Sequence, residues 1–259
     1  MDAADILALY DQEQRIGIEY PDMRKDVLPY VVRFVRPAPG MSFILYSRLD
    51  ETNAGAVIEE QIAYFKQAGL PFSWKVYDHD TPPGLKERLV SHGVEAEDPD
   101  AIMVLDLRET PPALLAPVTA DVRRLTHPDQ IEDVIKVEEQ VWGRDFAWMR
   151  ARFPGYMALP GYTSIYVAYV DGEPACAGWL NDPGRSRFAS LWGGSTVATY
   201  RGRGLYTAVL AARVQEAVAR GFRFLTIDAG DMSRPIVASH GFRLLTYACD
   251  CECKVTGAD

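Results

Sequence analysis

Two arginines bracket a glycine turn at Arg201-Gly202-Arg203-Gly204, between a strand-like apolar segment and a long helical stripe. A helix that opens on such a turn presents unpaired N–H groups and the positive end of its dipole, a seat suited to phosphate. Upstream, Arg187-Phe188-Ala189-Ser190-Leu191-Trp192 has strand composition and follows the turn pair Pro183-Gly184. Downstream, Tyr206, Leu210, Val214, Ala217 and Val218 recur at helical spacing between Leu205 and Arg220, and Gly221 suits a C-terminal cap. That stripe makes Tyr206 a packing residue with its hydroxyl near solvent. A nucleotide P-loop needs Lys-Ser or Lys-Thr after its last glycine, where this chain has Leu205-Tyr206. The dinucleotide fingerprint needs a third glycine where Thr207 stands. Gly193-Gly194-Ser195-Thr196-Val197 fails as a nucleophile elbow, because Val197 occupies the place of its second glycine.

What remains is Arg-Gly-x-Gly opening a helix, and this resembles the pyrophosphate loop of the GNAT acyltransferases. Arg201 and Gly204 match that pattern, whereas Tyr206 departs from it at the last position. A glycine turn can also merely join a strand to a helix, so the surrounding elements decide. Ala120–Leu125 reads as a first strand, His127 to about Val141 as a helix, and Phe146 to Phe153 as a second helix. Tyr162–Val170 alternates as a strand, turns at Asp171-Gly172, and returns through Pro174–Leu180. After the signature helix come Phe222–Asp228, a short helix begun by Ser233-Arg234-Pro235, and Gly241-Phe242. The resemblance covers about Pro117 to Lys254 and implies an α/β (α+β) fold.

The resemblance also implies chemistry. Members of the family pass an acyl group from coenzyme A directly to an amine. By analogy, backbone groups at Gly194, Ser195 and Thr196 would pair with the pantetheine arm, and the Val197 N–H is an oxyanion candidate. The amides from Gly202 through Leu205 and Tyr206 to Thr207 would hold the pyrophosphate, with charge from Arg201 and Arg203. Acetyl-CoA is therefore the expected co-substrate, and no metal is expected. The family's usual tyrosine acid falls at Val237, which leaves Asp228, Ser233 and Tyr206 as catalytic candidates. The expected function is acetyl transfer to an amine of a small molecule or peptide. The rival is a coenzyme A-binding regulatory or scaffold protein without turnover.

The first half repeats the latter part of that order. Ser42–Ser47 reads as a strand, Asn53–Gln67 as a helix before Gly69, Phe72–Tyr77 as a strand, Pro82–Ser91 as a helix, and Ala101–Leu105 as a strand. Ser91-His92-Gly93-Val94 echoes Ser239-His240-Gly241-Phe242, and Asp80 and Asp228 stand equally far before them. The expectation is an internal duplication: a degenerate, truncated GNAT-like domain at residues 1–117 and an acetyl-CoA-binding one at 118–259. Each would be a mixed, mostly antiparallel sheet flanked by helices, and an unrelated α/β first domain is the alternative. The first-half helix opens with Leu49-Asp50-Glu51-Thr52-Asn53, whose carboxylates would repel a pyrophosphate.

Composition bounds the rest. A chain of 259 residues with 48% hydrophobic content is sized for two packed domains. Its net charge of −9 resides wholly in residues 1–118, which disfavours nucleic acid; it reads first as an acidic solvated surface and only secondarily as steering toward a cationic or amine acceptor. The acidic start and the lack of a long apolar run point to a cytoplasmic protein off the membrane; a monomer or homodimer is expected. Cys249, Cys251 and Cys253 alternate as strand residues do and lack the usual zinc spacing, so they read as buried apolar groups. His240 reads as a residue ending the short helix.

Overall fold

A computed structural model describes residues 1–254, so the last five residues of the expected 118–259 domain lie outside the described residues. The chain divides into two compact units. The first comprises Met1–Ile102, Ala229–Arg234 and the chain from Leu244; the second comprises Met103–Asp228 and Pro235–Arg243.

The first unit opens with α1 (Ala3–Tyr10), capped by the Asp2 carboxylate and continued by a π-helical turn, Asp11–Ile16. Its strands are β1 (Arg24–Val27), β2 (Val31–Val35) and β3 (Ser42–Ser47). Then come α2 (Ala54–Ala68), β4 (Phe72–Tyr77), α3 (Leu85–Ser91), β5 (Glu95–Ala96) and β6 (Asp100–Asp106), of which β6 crosses into the second unit. β1, β2 and β3 pair antiparallel, whereas β3 and β4 run parallel through the connecting helix α2. α2 buries Val57, Ile58 and Phe65 at helical spacing, and Gly69 ends it with φ +66°.

The second unit contains α4 (Pro112–Leu115), β7 (Val122–Arg124), α5 (Ile131–Trp142), α6 (Trp148–Ala158), β8 (Thr163–Val170), β9 (Glu173–Asn181) and β10 (Phe188–Thr196). It continues with α7 (Leu205–Ala219), β11 (Phe224–Ala229) and α8 (Arg234–Ser239), and the last strand is β12 (Arg243–Cys253). β7, β8, β9 and β10 form an antiparallel meander, and β10 and β11 run parallel through α7. The β8–β9 hairpin turns on Asp171 and Gly172 with φ of +52° and +83°, the positive pair that a two-residue hairpin requires. Alternation along β8 sends Ile165 and Val167 to the core beneath α5 and α6. Ala168 faces the opposite core, with Leu205 and Val209 of α7.

Chain order would group β12 with residues 118–259, yet its ladder runs antiparallel along β4, from Ala248 opposite Tyr77 to Cys253 opposite Phe72. Cys249 and Cys251 are buried there in one core with Phe72 and Trp74, as small apolar groups would be. Among the described residues, no helix is long and apolar enough to cross a membrane.

Candidate active site

Both parallel strand pairs come apart along their length. β10 pairs with β11 from Phe188 opposite Phe224 to Leu191 opposite Ile227, and then β10 runs on to Thr196 without it. A slot therefore opens past Leu191, edged by Trp192–Thr196 on one side and by Asp228 on the other. β10 bulges here against β9, where Gly193 opposes Gly178 and Ser195 opposes Ala177, so that Gly194 is the extra residue. Gly193 and Gly194 have φ of +68° and +89°. A Cβ on Gly194 would meet the Tyr206 ring at 2.7 Å, so glycine is needed for the ring to seat as well as for the backbone.

The turn that follows ends the slot. Gly202 and Gly204 have φ of +74° and +75°, while an added Cβ at either would meet nothing within 4 Å. Their glycine character answers to backbone conformation, and the space before α7 is open. No side chain caps α7 at Gly204, so its first amides remain available to a ligand. Arg201 and Arg203 are exposed beside them, and Arg201 Nε donates to Thr196 O at 3.1 Å. Thr207 Oγ1 lies 3.1 Å from His240 Nε2, which joins the first turn of α7 to the end of α8. Partial burial holds the His240 pKa below its ordinary value.

The Val197 N–H differs from expectation. It donates to Ala175 O at 3.0 Å and is therefore committed within the fold rather than offered to an oxyanion. Tyr206 differs as well. Its hydroxyl is buried, not near solvent, and has no partner among the described residues. Burial raises its pKa. Tyr206→Phe should consequently raise the unliganded melting temperature, since a buried hydroxyl without a partner costs about 1–3 kcal/mol. A thermal scan checks this, and a fall in melting temperature would reveal a partner for the hydroxyl.

The catalytic candidates do not assemble as one set. Asp228 is half-buried on β11, just past the last paired residue. Ser233 belongs to the first unit and donates its hydroxyl to Gly230 O at 3.1 Å. Val237, at the family's tyrosine position, is fully buried core. Two charged groups nearer the bulge escape a reading by residue type. Arg213 of α7 is fully buried and donates to Trp192 O at 3.0 Å and Trp179 O at 3.3 Å, holding the carbonyls on both strands beside the bulge. Glu138 of α5 is 3% exposed and accepts from Ser195 Oγ at 2.9 Å and Trp142 Nε1 at 2.9 Å. Burial pushes its carboxyl above the usual carboxylate range. The signal was present in the sequence: Ile131, Val134, Ile135 and Glu138 form one helical stripe, and a carboxylate on it is anomalous.

The first unit's parallel pair and the start of α2 are filled by side chains. β3 and β4 pair only from Ser42 opposite Phe72 to Ile44 opposite Trp74. Past that point Arg15 stands between them, its Nε donating to Leu45 O at 2.8 Å and its guanidinium lying 3.9 Å from the Tyr77 ring centroid. Asp80 accepts from Arg15 Nη2 at 2.6 and 2.9 Å and from the Tyr77 N–H at 3.0 Å. Ahead of α2, the Asp50 carboxylate accepts the N–H groups of Thr52 and Asn53 at 2.8 and 3.0 Å. The Thr52 hydroxyl, followed by these amide bonds, holds its pKa below the usual range.

No protein-family model and no curated protein matches the sequence. Solved structures do match in architecture. A GCN5-related N-acetyltransferase from Kribbella flavida aligns at TM-score 0.72 and 15% identity, over 99% of this chain and 96% of its own. A tandem GNAT protein from the clavulanic acid biosynthesis pathway aligns at TM-score 0.64 and 14% identity, over 99% and 96%. A GCN5-related N-acetyltransferase from Sphaerobacter thermophilus aligns at TM-score 0.60 and 14% identity, over 99% and 93%. Identities this low speak to fold rather than activity. Over nearly its whole length, this chain has the fold of the GNAT acetyltransferases, in the tandem form.

Proposed function

We propose that the second unit binds acetyl-CoA in the slot between β10 and β11 and transfers its acetyl group to an amine of a small molecule or peptide. The observation that carries this reading is the conjunction of that slot with an uncapped helix start flanked by two exposed arginines. Backbone groups of Gly194, Ser195 and Thr196 would hold the pantetheine arm. The amides of Leu205, Tyr206 and Thr207, with Arg201 and Arg203, would hold the pyrophosphate by the dipole and charge argument. A thioester is already an active acyl donor, so alignment of donor and amine supplies much of the acceleration.

The domain order 1–117 and 118–259 is proposed as a duplication in which the first copy has lost the cofactor. Arg15 stands where the pantetheine arm would run, and Asp50 occupies amides that a phosphate would need. A coenzyme A-binding protein without turnover is the second reading, favoured by the burial of Val237 at the expected acid's position. Release of coenzyme A thiol from acetyl-CoA, measured on the full chain with spermidine, glucosamine and a lysyl peptide, separates the two. Release that depends on an amine supports transfer. Acetyl-CoA binding without release from any amine would favour the second reading.

A further inference from the structure

We propose, resting on the acyl-transfer reading, that Glu138 is the general base of the transfer and takes the proton of the incoming amine at its Oε1. The carboxylate is held at the bulge by one oxygen only. Oε2 accepts from Ser195 Oγ and Trp142 Nε1, whereas Oε1 is buried with no partner among the described residues. Trp142 Nε1 also reaches Ser195 Oγ at 3.1 Å, so the indole spans both groups. Trp142 is 56% exposed, and the carboxylate therefore lies one side chain from solvent.

A buried carboxylate without a cation is costly to the fold. A purely structural contact to Ser195 and Trp142 needs only a hydrogen-bond acceptor, which a glutamine would supply without that cost. Accepting a proton requires the carboxylate. The surrounding groups leave it free to do so. From β10 it meets the Ser195 hydroxyl, and on its own helix the Trp142 N–H. α6 packs Met149 and Phe153 into this core, while its Arg150 is paired with Glu132. Cys176 of β9 is neutral, because burial raises its pKa. The hydrogen bonds from Ser195 and Trp142, and more weakly Arg144 beyond the helix, pull the other way, but burial outweighs them. A carboxyl raised in this way is matched to an ammonium near neutral pH better than an exposed one.

In the step assigned to it, the N–H bond of the ammonium breaks and the proton passes to Glu138 Oε1. The freed nitrogen lone pair forms the C–N bond at the thioester carbonyl carbon. The C–S bond breaks with its electron pair on sulfur, and the second proton leaving nitrogen neutralises the thiolate. Amide, coenzyme A thiol and one proton on Glu138 account for every atom.

The test is steady-state kinetics of the full chain, with the fastest acceptor among spermidine, glucosamine and a lysyl peptide. Glu138→Gln should lower kcat by roughly 10²-fold or more, the range of a lost acid–base group, with the Kd for acetyl-CoA unchanged. The wild-type kcat/KM should rise with pH through a limb that the Gln variant lacks. Glu138→Asp should keep the limb at reduced kcat, and Ser195→Ala should keep it too, which separates proton transfer from support of the bulge. Undiminished turnover in Glu138→Gln with the limb intact would overturn this assignment alone. A wild-type protein that binds acetyl-CoA but acylates no amine would overturn the transfer reading and this assignment with it.

Discussion

Gly204→Asp should weaken acetyl-CoA binding by at least about 100-fold, roughly 2.7 kcal/mol, while leaving the protein folded. A Cβ at this position meets nothing within 4 Å, so the variant introduces no collision. The left-handed backbone at φ +75° adds some strain, which aspartate tolerates better than most residues. What changes is the charge at the mouth of α7. A carboxylate there can accept the free amides, much as Asp50 accepts those of Thr52 and Asn53 before α2. It then repels the phosphates that the amides would otherwise attract. The ligand-induced rise in melting temperature reads the effect, because a ligand bound only to the folded state stabilises it by mass action. An undiminished rise in Gly204→Asp would remove this turn from the cofactor site.

Asp80→Ala should destabilise the first unit by about 3–5 kcal/mol, the loss seen when one partner of a buried ion pair is deleted. The side chains of Arg15 and Asp80 are 1% and 3% exposed, so removing this carboxylate leaves a buried guanidinium with Asp11, at 2.8 Å from Nη1, as its remaining ion-pair partner. The Coulomb field of Asp80 raises the Arg15 pKa against the effect of burial, and a neutral arginine offers no escape. At about 2–4 °C per kcal/mol for a chain of this size, the first thermal transition should fall by about 10 °C. Replacing both partners, as Arg15→Met with Asp80→Leu, should restore much of it. Acetyl-CoA affinity, measured below the transition, should stay at the wild-type level, since the proposed cofactor slot belongs to the second unit. A single variant with unaltered melting would show that the pair is dispensable.

Much of the second unit was legible because its signals are local. Asp171-Gly172 fixes a hairpin through two positive φ angles, and Gly204 opens α7 through one. Gly241-Phe242 ends α8 with φ +91°, and a Cβ on Gly241 would press on Pro111 at 3.0 Å. Contacts between distant residues were not legible. Arg15 meets Asp80 across 65 positions, and nothing in the composition of Asp11–Ile16 marks an arginine that would enter a strand gap. Chain order likewise concealed the pairing of β12 with β4, since strand alternation fixes faces but not partners. Glu138 lies between these cases. Its place on the apolar stripe was visible, but the Ser195 hydroxyl that meets it lies 57 residues away. Val197 shows the limit of analogy: the family suggests an oxyanion donor, and the local ladder had already used the N–H on Ala175.

Calorimetric titration of the full chain with acetyl-CoA tests the central claim most directly, because it counts sites as well as measuring affinity. A cofactor slot open in the second unit and blocked by Arg15 and Asp50 in the first requires one acetyl-CoA per chain, with that binding lost in Gly204→Asp. Two sites per chain, or no binding at all, would contradict it.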